Sequence, residues 1–186
     1  MAKKQNSNVD IWLERETKHS REAFENASRY FDGNDNLTVN TLEAVYGQES
    51  SFGLSSKMGK RGSSDPAGHF QFEPVTAKRY GLSVTENNDQ RFDIDYASSA
   101  AARYLKDLDT FFSKNTTLSG KLKTIGVKNA SERENFALGA FNAGEGNIAK
   151  AQALAEKAGK NPQLWVDVEE YLTDETRQYV PKVLSY

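Results

Sequence analysis

The chain has 186 residues, a formal net charge of -2 and no cysteine. That length suffices for one domain with its own core, and the slight acidic balance gives nucleic acid no electrostatic claim on it. The missing thiols exclude disulfides, thiolate nucleophiles and cysteine-type zinc sites; His19 and His69 are too few for a multi-histidine metal site in one chain, so no metal or other cofactor is expected.

A membrane-spanning helix needs roughly 20 predominantly apolar residues, and no stretch has that character. Met1–Asn8 carries two lysines but no apolar core after them, unlike a secretory signal. The expectation is a monomer made in the cytoplasm without a Sec signal, with a frayed polar start over residues 1–8.

From Val9 to Phe31, apolar residues at Val9, Leu13, Phe24, Ala27, Tyr30 and Phe31 predict one or two helices. The cluster Asp32-Gly33-Asn34-Asp35-Asn36 ends them. A second helix is predicted from about Val39 or Thr41 to Glu49, capped by Thr38 or Asn40. Residues 50–68 are rich in Ser, Gly and Lys, and so long a loop in a compact domain is either functional or a free insertion. Its Lys57, Lys60 and Arg61 suit an anionic ligand. A short helix with Pro74 near its start is expected to run to Tyr80 and stop at Gly81.

Asn87-Asn88-Asp89 opens the next helical stretch. There Phe92, Tyr96, Ala100, Ala101, Tyr104, Leu105, Leu108, Phe111 and Phe112 form a broad apolar stripe, which predicts a core helix. Residues 113–130 read as a weaker link with a short helix around Leu118–Ile125. Ser131-Glu132-Arg133-Glu134 carries a capping-box pattern and starts a helix that Asn142-Ala143-Gly144 stops. An alanine-rich helix spans Ile148 to Ala158. Asn161-Pro162 caps another, with Leu164, Trp165, Val168 and Tyr171 packing. Thr173 or Asp174 caps the last, which Pro181 should kink or end. The fold class is mainly α, with Phe70-Gln71-Phe72 the one alternating stretch.

Glu49 has a distinctive setting. It ends an apolar segment carrying Leu42, Val45 and Tyr46, and Ser50, Ser51 and Gly53 follow at once. A carboxyl with its stem against a core and its head at a cleft has a raised pKa, as a general acid near neutral pH requires.

Four segments in order carry a family resemblance. Gln48-Glu49-Ser50-Ser51-Phe52-Gly53 resembles the catalytic Glu-Ser segment of soluble lytic transglycosylases and goose-type lysozymes. Ala67-Gly68-His69-Phe70-Gln71-Phe72-Glu73-Pro74-Val75-Thr76-Ala77 is similar to their Gly-Leu-Met-Gln-Leu-Met-Pro-x-Thr-Ala segment. Ala140-Phe141-Asn142-Ala143-Gly144 resembles their Ala-Tyr-Asn-Ala-Gly segment, and Glu175-Thr176-Arg177-Gln178-Tyr179-Val180 their Glu-Thr-Arg-x-Tyr-Val segment. The resemblance covers residues 40–184 or so. It implies a lysozyme-like α-helical domain with a cleft and a minimal β element over 39–186, behind an N-terminal helical extension over 1–38.

It also implies cleavage of the β-1,4 bond between N-acetylmuramic acid and N-acetylglucosamine in peptidoglycan, with glycan strands as the partner. Glu49 matches the acid that protonates the leaving oxygen. In the transglycosylases the same carboxylate then deprotonates the muramoyl O6 hydroxyl, giving a 1,6-anhydro product. Ser50, Phe70, Gln71, Asn142 and Tyr179 fall at substrate-binding positions, with Gln71 and Asn142 suited to acetamido and hydroxyl groups. Taken by itself, Asn142 also reads as a helix-stop residue and Tyr179 as a core aromatic. Phe141 replaces the usual Tyr, and His69 an apolar residue.

Glu73 stands where the transglycosylases carry Met and the goose-type lysozymes an acid, and Asp65 precedes it. Either fits the water-activating second carboxylate of an inverting hydrolase. A non-catalytic glycan-binding or structural module of a secretion or phage particle is the reading from a different class. The lack of a Sec signal suggests delivery to the periplasm or cell wall by a specialised secretion system or phage, with a periplasmic immunity or inhibitor protein as a second partner.

Overall fold

A computed structural model describes residues 18–186; the polar start expected over 1–8 and the helical stretch from Val9 to residue 17 lie outside the described residues. In order, the elements are α1 (Lys18–Ala27), α2 (Val39–Ser50), α3 (Pro74–Arg79), α4 (Ile94–Ser113), β1 (Thr117–Ser119), β2 (Leu122–Lys123), α5 (Ala130–Ala143), α6 (Glu145–Lys157), α7 (Trp165–Val168) and α8 (Asp174–Leu184). The fold is mainly α, with one two-stranded antiparallel sheet among the described residues. The described chain forms two compact units: residues 18–29, 39–103 and 185–186 make the first, and residues 30–38 and 104–184 the second.

In the first unit, α2 is buried continuously from Thr41 to Gly47. Its acid Glu43 is buried too, and Arg21 of α1 pairs with it. Phe24, Tyr46, Phe70 and Phe72 stack as an aromatic core, with ring centroids 5.0 to 6.3 Å apart. Phe24 thus brings α1, part of the stretch expected as an extension, into this core. Pro74 occupies the first turn of α3, where its fixed φ suits a helix and its missing N–H costs nothing.

Residues 50–68 are not a free insertion, because the later part of the stretch is stapled to one side chain. Arg91 is 0% exposed. It donates to the carbonyls of Ser63, Asp65 and Phe72 at 2.8 to 2.9 Å and grips the Asp89 carboxylate at 2.7 and 2.9 Å. Asp89 in turn accepts from the Gly62 N–H at 2.8 Å. Gly68, at φ +85°, lies so close that a Cβ there would sit 2.0 Å from the Arg91 carbonyl oxygen. A loop stapled to a buried guanidinium looks polar and open in sequence, yet its backbone groups are satisfied.

In the second unit, α5 packs against α6 and α8. Leu105, Leu108, Phe112, Phe136, Leu138 and Ile148 fill its core, and Trp165 meets Phe136 edge-to-face at 5.2 Å. The Asp109–Arg133 pair is buried at 2.6 Å. Lys106 bonds both Asp32 and Asp35 at 2.9 Å and holds the turn that follows the first helical stretch.

Three expectations are corrected by the structure. The helix expected around Leu118–Ile125 is instead the β1–β2 hairpin, turning at Gly120 with φ +54°. The Thr124 hydroxyl pins it to the Phe111 and Lys114 carbonyls, and the Gln152 side chain pins Ile125 through its N–H and carbonyl. α5 starts earlier than its capping-box pattern suggests: Asn129 is the cap, accepting from Glu132 N–H at 2.9 Å, and Glu132 turns to the Trp165 N–H instead. Pro181 lies inside α8, which runs on to Leu184, so of the two outcomes expected there the helix end is the one excluded. Tyr96, placed on the apolar stripe, is 52% exposed in the second position after Ile94.

Candidate active site

Glu49 occupies the last turn of α2, partly exposed, one residue before the helix ends at Ser50. Behind it, Val45 and Tyr46 are buried. Ahead of it, Ser51, Phe52 and Gly53 all adopt left-handed backbone, at φ +49°, +62° and +76°. For the two residues that are not glycine this costs about 1–2 kcal/mol each, so the surroundings must hold the turn.

Ser50 is part of that hold. Its hydroxyl donates to the Tyr46 carbonyl and accepts from the Gly53 N–H, both at 3.0 Å, and it is fully buried. The Leu54 N–H closes the turn on the Ser50 carbonyl at 2.9 Å. Ser50, expected at the glycan, therefore serves the turn below the surface. The Phe52 ring folds back onto Gly47, where a Cβ would lie 2.1 Å from it. Only glycine at 47 admits that ring.

Phe70, also expected at the substrate, is 1% exposed and belongs to the aromatic core. Gln71 is partly exposed and left-handed at φ +52°. Its Nε2 donates to the Met58 carbonyl at 3.2 Å and to Gly68 at 2.8 Å, which uses both amide protons. What Gln71 has left to offer is the Oε1 acceptor. Glu73 is exposed at the N-cap of α3 and makes no side-chain capping bond. Asp65 is exposed as well, and its backbone is held by Ser63 and Arg91.

His69 turns its Nε2 to the Phe92 carbonyl at 3.0 Å, which fixes that nitrogen as the donor, while its buried Nδ1 meets no partner. Burial pushes its pKa below the ordinary value of 6.5, partly offset by the Phe92 bond and the nearby Asp93. Burial alone would raise the Asp89 carboxyl, but the bonds from Arg91 and Gly62 outweigh it and hold that group below its usual range.

In the second unit, Asn142 lies partly exposed in the last turn of α5. Its Oδ1 accepts from the Thr176 hydroxyl at 2.8 Å, which leaves Nδ2 as a donor. Phe141 is buried against the Tyr104 ring, 5.4 Å between centroids, and the Tyr104 hydroxyl donates to Glu145 at 3.1 Å. A phenol therefore stands next to the position where Phe141 lacks one. Tyr179 is 4% exposed on α8. Arg177 makes an exposed pair with Asp174 at 3.8 Å. Among the described residues no cluster of three or more His, Asp or Glu groups is arranged to hold a metal ion.

Two supports escape the sequence reading. Thr176 was visible only as the middle of the Glu-Thr-Arg segment, with nothing to assign its partner. The Asp89–Arg91 pair had a faint signal in its two-residue spacing after a turn cluster, which reads equally as surface charge.

Comparison with known proteins gives consistent matches. The model of the transglycosylase SLT domain family matches residues 27–164. Membrane-bound lytic murein transglycosylase D of Escherichia coli (strain K12) is 30% identical over 122 residues, which are 66% of this chain and 22% of that protein. Membrane-bound lytic murein transglycosylase F of Pseudomonas fluorescens is 31% identical over 140 residues, 74% of this chain and 24% of that protein. The F protein of Marinobacter nauticus is 49% identical over a short stretch of 41 residues, 22% of this chain and 8% of that protein. The chain thus spans less than a quarter of the length of the relatives it matches.

Proposed function

The chain belongs to the transglycosylase SLT domain family, and from that premise we propose that it cleaves peptidoglycan glycan strands as a lytic transglycosylase, with Glu49 as its acid. The observation that carries this reading is the placement of Glu49: a partly exposed carboxylate in the last helical turn, between a buried apolar stem and a turn of three left-handed residues.

The proposed chemistry acts on the bond between N-acetylmuramic acid and N-acetylglucosamine. Glu49 gives its proton to the leaving glycosidic oxygen as the bond to C1 breaks. The sugar passes through an oxocarbenium-like state. The carboxylate then takes the proton of the muramoyl O6 hydroxyl, and O6 closes on C1. One proton is given, one is taken back and no water is consumed. Gln71 would offer its fixed Oε1 to a sugar N–H or hydroxyl. Asn142 would offer its fixed Nδ2 to an acetamido or hydroxyl oxygen, and Tyr179 would support the developing charge on the sugar. The reading places the protein's action at the cell wall. Zymography on purified sacculi tests it: a clearing band is expected, and intact sacculi under conditions where a known transglycosylase clears them would contradict it.

A further inference from the structure

We propose that Tyr186 is a positioning residue for the turn that presents Glu49. The inference rests on the reading of Glu49 as the acid for its kinetic arm alone. Tyr186 lies beyond α8 and beyond the residues matched by the family, 27–164, yet it belongs to the first unit with Glu49. Its ring meets Phe52 edge-to-face, with centroids 5.5 Å apart and planes at 83°. Its hydroxyl donates to the Gln48 Oε1 at 3.2 Å. One side chain therefore grips the residue just before Glu49 and the ring three residues after it.

The turn needs such a grip. Ser51 and Phe52 hold left-handed backbone without being glycine. Such a conformation persists only where its surroundings over-determine it. Within the turn, the Ser50 hydroxyl and the Leu54 N–H supply bonds, and Gly47 clears room for the Phe52 ring. None of these sets the ring's orientation from outside the segment, and Tyr186 does. The edge-to-face geometry is the favoured one for an aromatic pair, in which a positive ring edge meets a negative face. Burial pushes the phenol above its ordinary pKa, so it stays a donor at neutral pH. Releasing Phe52 would let Ser51 and Phe52 relax, and the end of α2 that carries Glu49 would lose its fixed aim.

The test is amide exchange by NMR together with steady-state kinetics on soluble glycan strands. In Tyr186→Ala, the Gly53 and Leu54 amides should exchange about tenfold faster, the change that one aromatic pair plus one hydrogen bond converts to. The Val45 and Tyr46 amides should keep their protection. The kcat should fall about tenfold with KM changed by less than about twofold, as expected when aim rather than binding is lost. Tyr186→Phe keeps the ring contact and should recover most of both effects. Unchanged Gly53 and Leu54 exchange in folded Tyr186→Ala would overturn the proposal. So would a rise in KM with kcat intact. If the wild type cleaves nothing, the function reading fails while the exchange arm still decides this one. If Tyr186→Ala does not fold, Tyr186→Leu carries the same comparison: faster Gly53 and Leu54 exchange supports the proposal, and wild-type exchange overturns it.

Discussion

Thr176 donates its hydroxyl to the Oδ1 of Asn142 at 2.8 Å, from a position that is itself buried. The bond joins the Glu-Thr-Arg segment of α8 to the Phe-Asn-Ala-Gly segment of α5. It turns an amide that could face either way into one with a fixed donor.

Thr176→Val should therefore unlock Asn142 without changing side-chain shape. One lost hydrogen bond is worth about 1 kcal/mol, or roughly a fivefold lower kcat/KM on soluble glycan strands. Thr176→Ser should keep most of the activity. A serine variant as impaired as the valine one would show that packing, not the bond, matters there.

Arg91 is the staple of the 51–73 stretch, and its removal should be costly. Arg91→Ala leaves the Asp89 carboxylate buried without its partner and frees three carbonyls. Breaking a buried pair from one side typically costs about 3–5 kcal/mol. Denaturant unfolding measures it. Arg91→Lys should rescue little, since an ammonium cannot reach both carboxylate oxygens and three carbonyls at once. A loss under about 1 kcal/mol would contradict the role assigned to this side chain.

His69 gives the stability a pH dependence whose sign follows from its depressed pKa. As pH falls through 6.5, the unfolded chain takes up a proton at His69 and the folded chain does not. Stability from this group is thus complete above that pH and is lost progressively on acidification, until the folded pKa is reached. His69→Leu should show a smaller fall in Tm between about pH 7.5 and about pH 5.5 than the wild type. An identical fall in both would remove His69 from the account.

Glu73→Gln and Asp65→Asn should each leave turnover within about threefold of wild type, because a transglycosylase needs no water-activating base. Glu73 caps no backbone N–H, so its loss should also cost little stability, at most about 0.3–1 kcal/mol from the helix dipole. A collapse in turnover for either variant would favour the inverting hydrolase.

Much of the helical frame is legible in the sequence. Residues 39–50 and 94–113 show their apolar spacing, and 74–79 shows its Pro start and Gly stop, because local propensity and tertiary burial agree there. The hairpin at 117–123 is not legible, since Gln152, far along the chain, helps to fix it. The polarity of residues 50–68 fits a functional loop and a free insertion equally, and the buried guanidinium of Arg91, far along the chain, excludes the second. In the site, Glu49 stands out by its motif. Ser50 in the same motif and Phe70 in the next one face inward, a distinction that depends on the left-handed turn and the aromatic core rather than on residue type. Thr176 and Tyr186 act through partners 34 and 138 positions away, beyond the reach of any local pattern.

The central claim is that Glu49 alone cuts the glycan strand and that the sugar's own hydroxyl completes the reaction. Mass spectrometry of muropeptides from purified peptidoglycan, digested with the wild type and with Glu49→Gln, tests it most directly. The wild type should release 1,6-anhydromuramoyl products and Glu49→Gln none. Products one water heavier, with free reducing ends, or an active Glu49→Gln enzyme would contradict it.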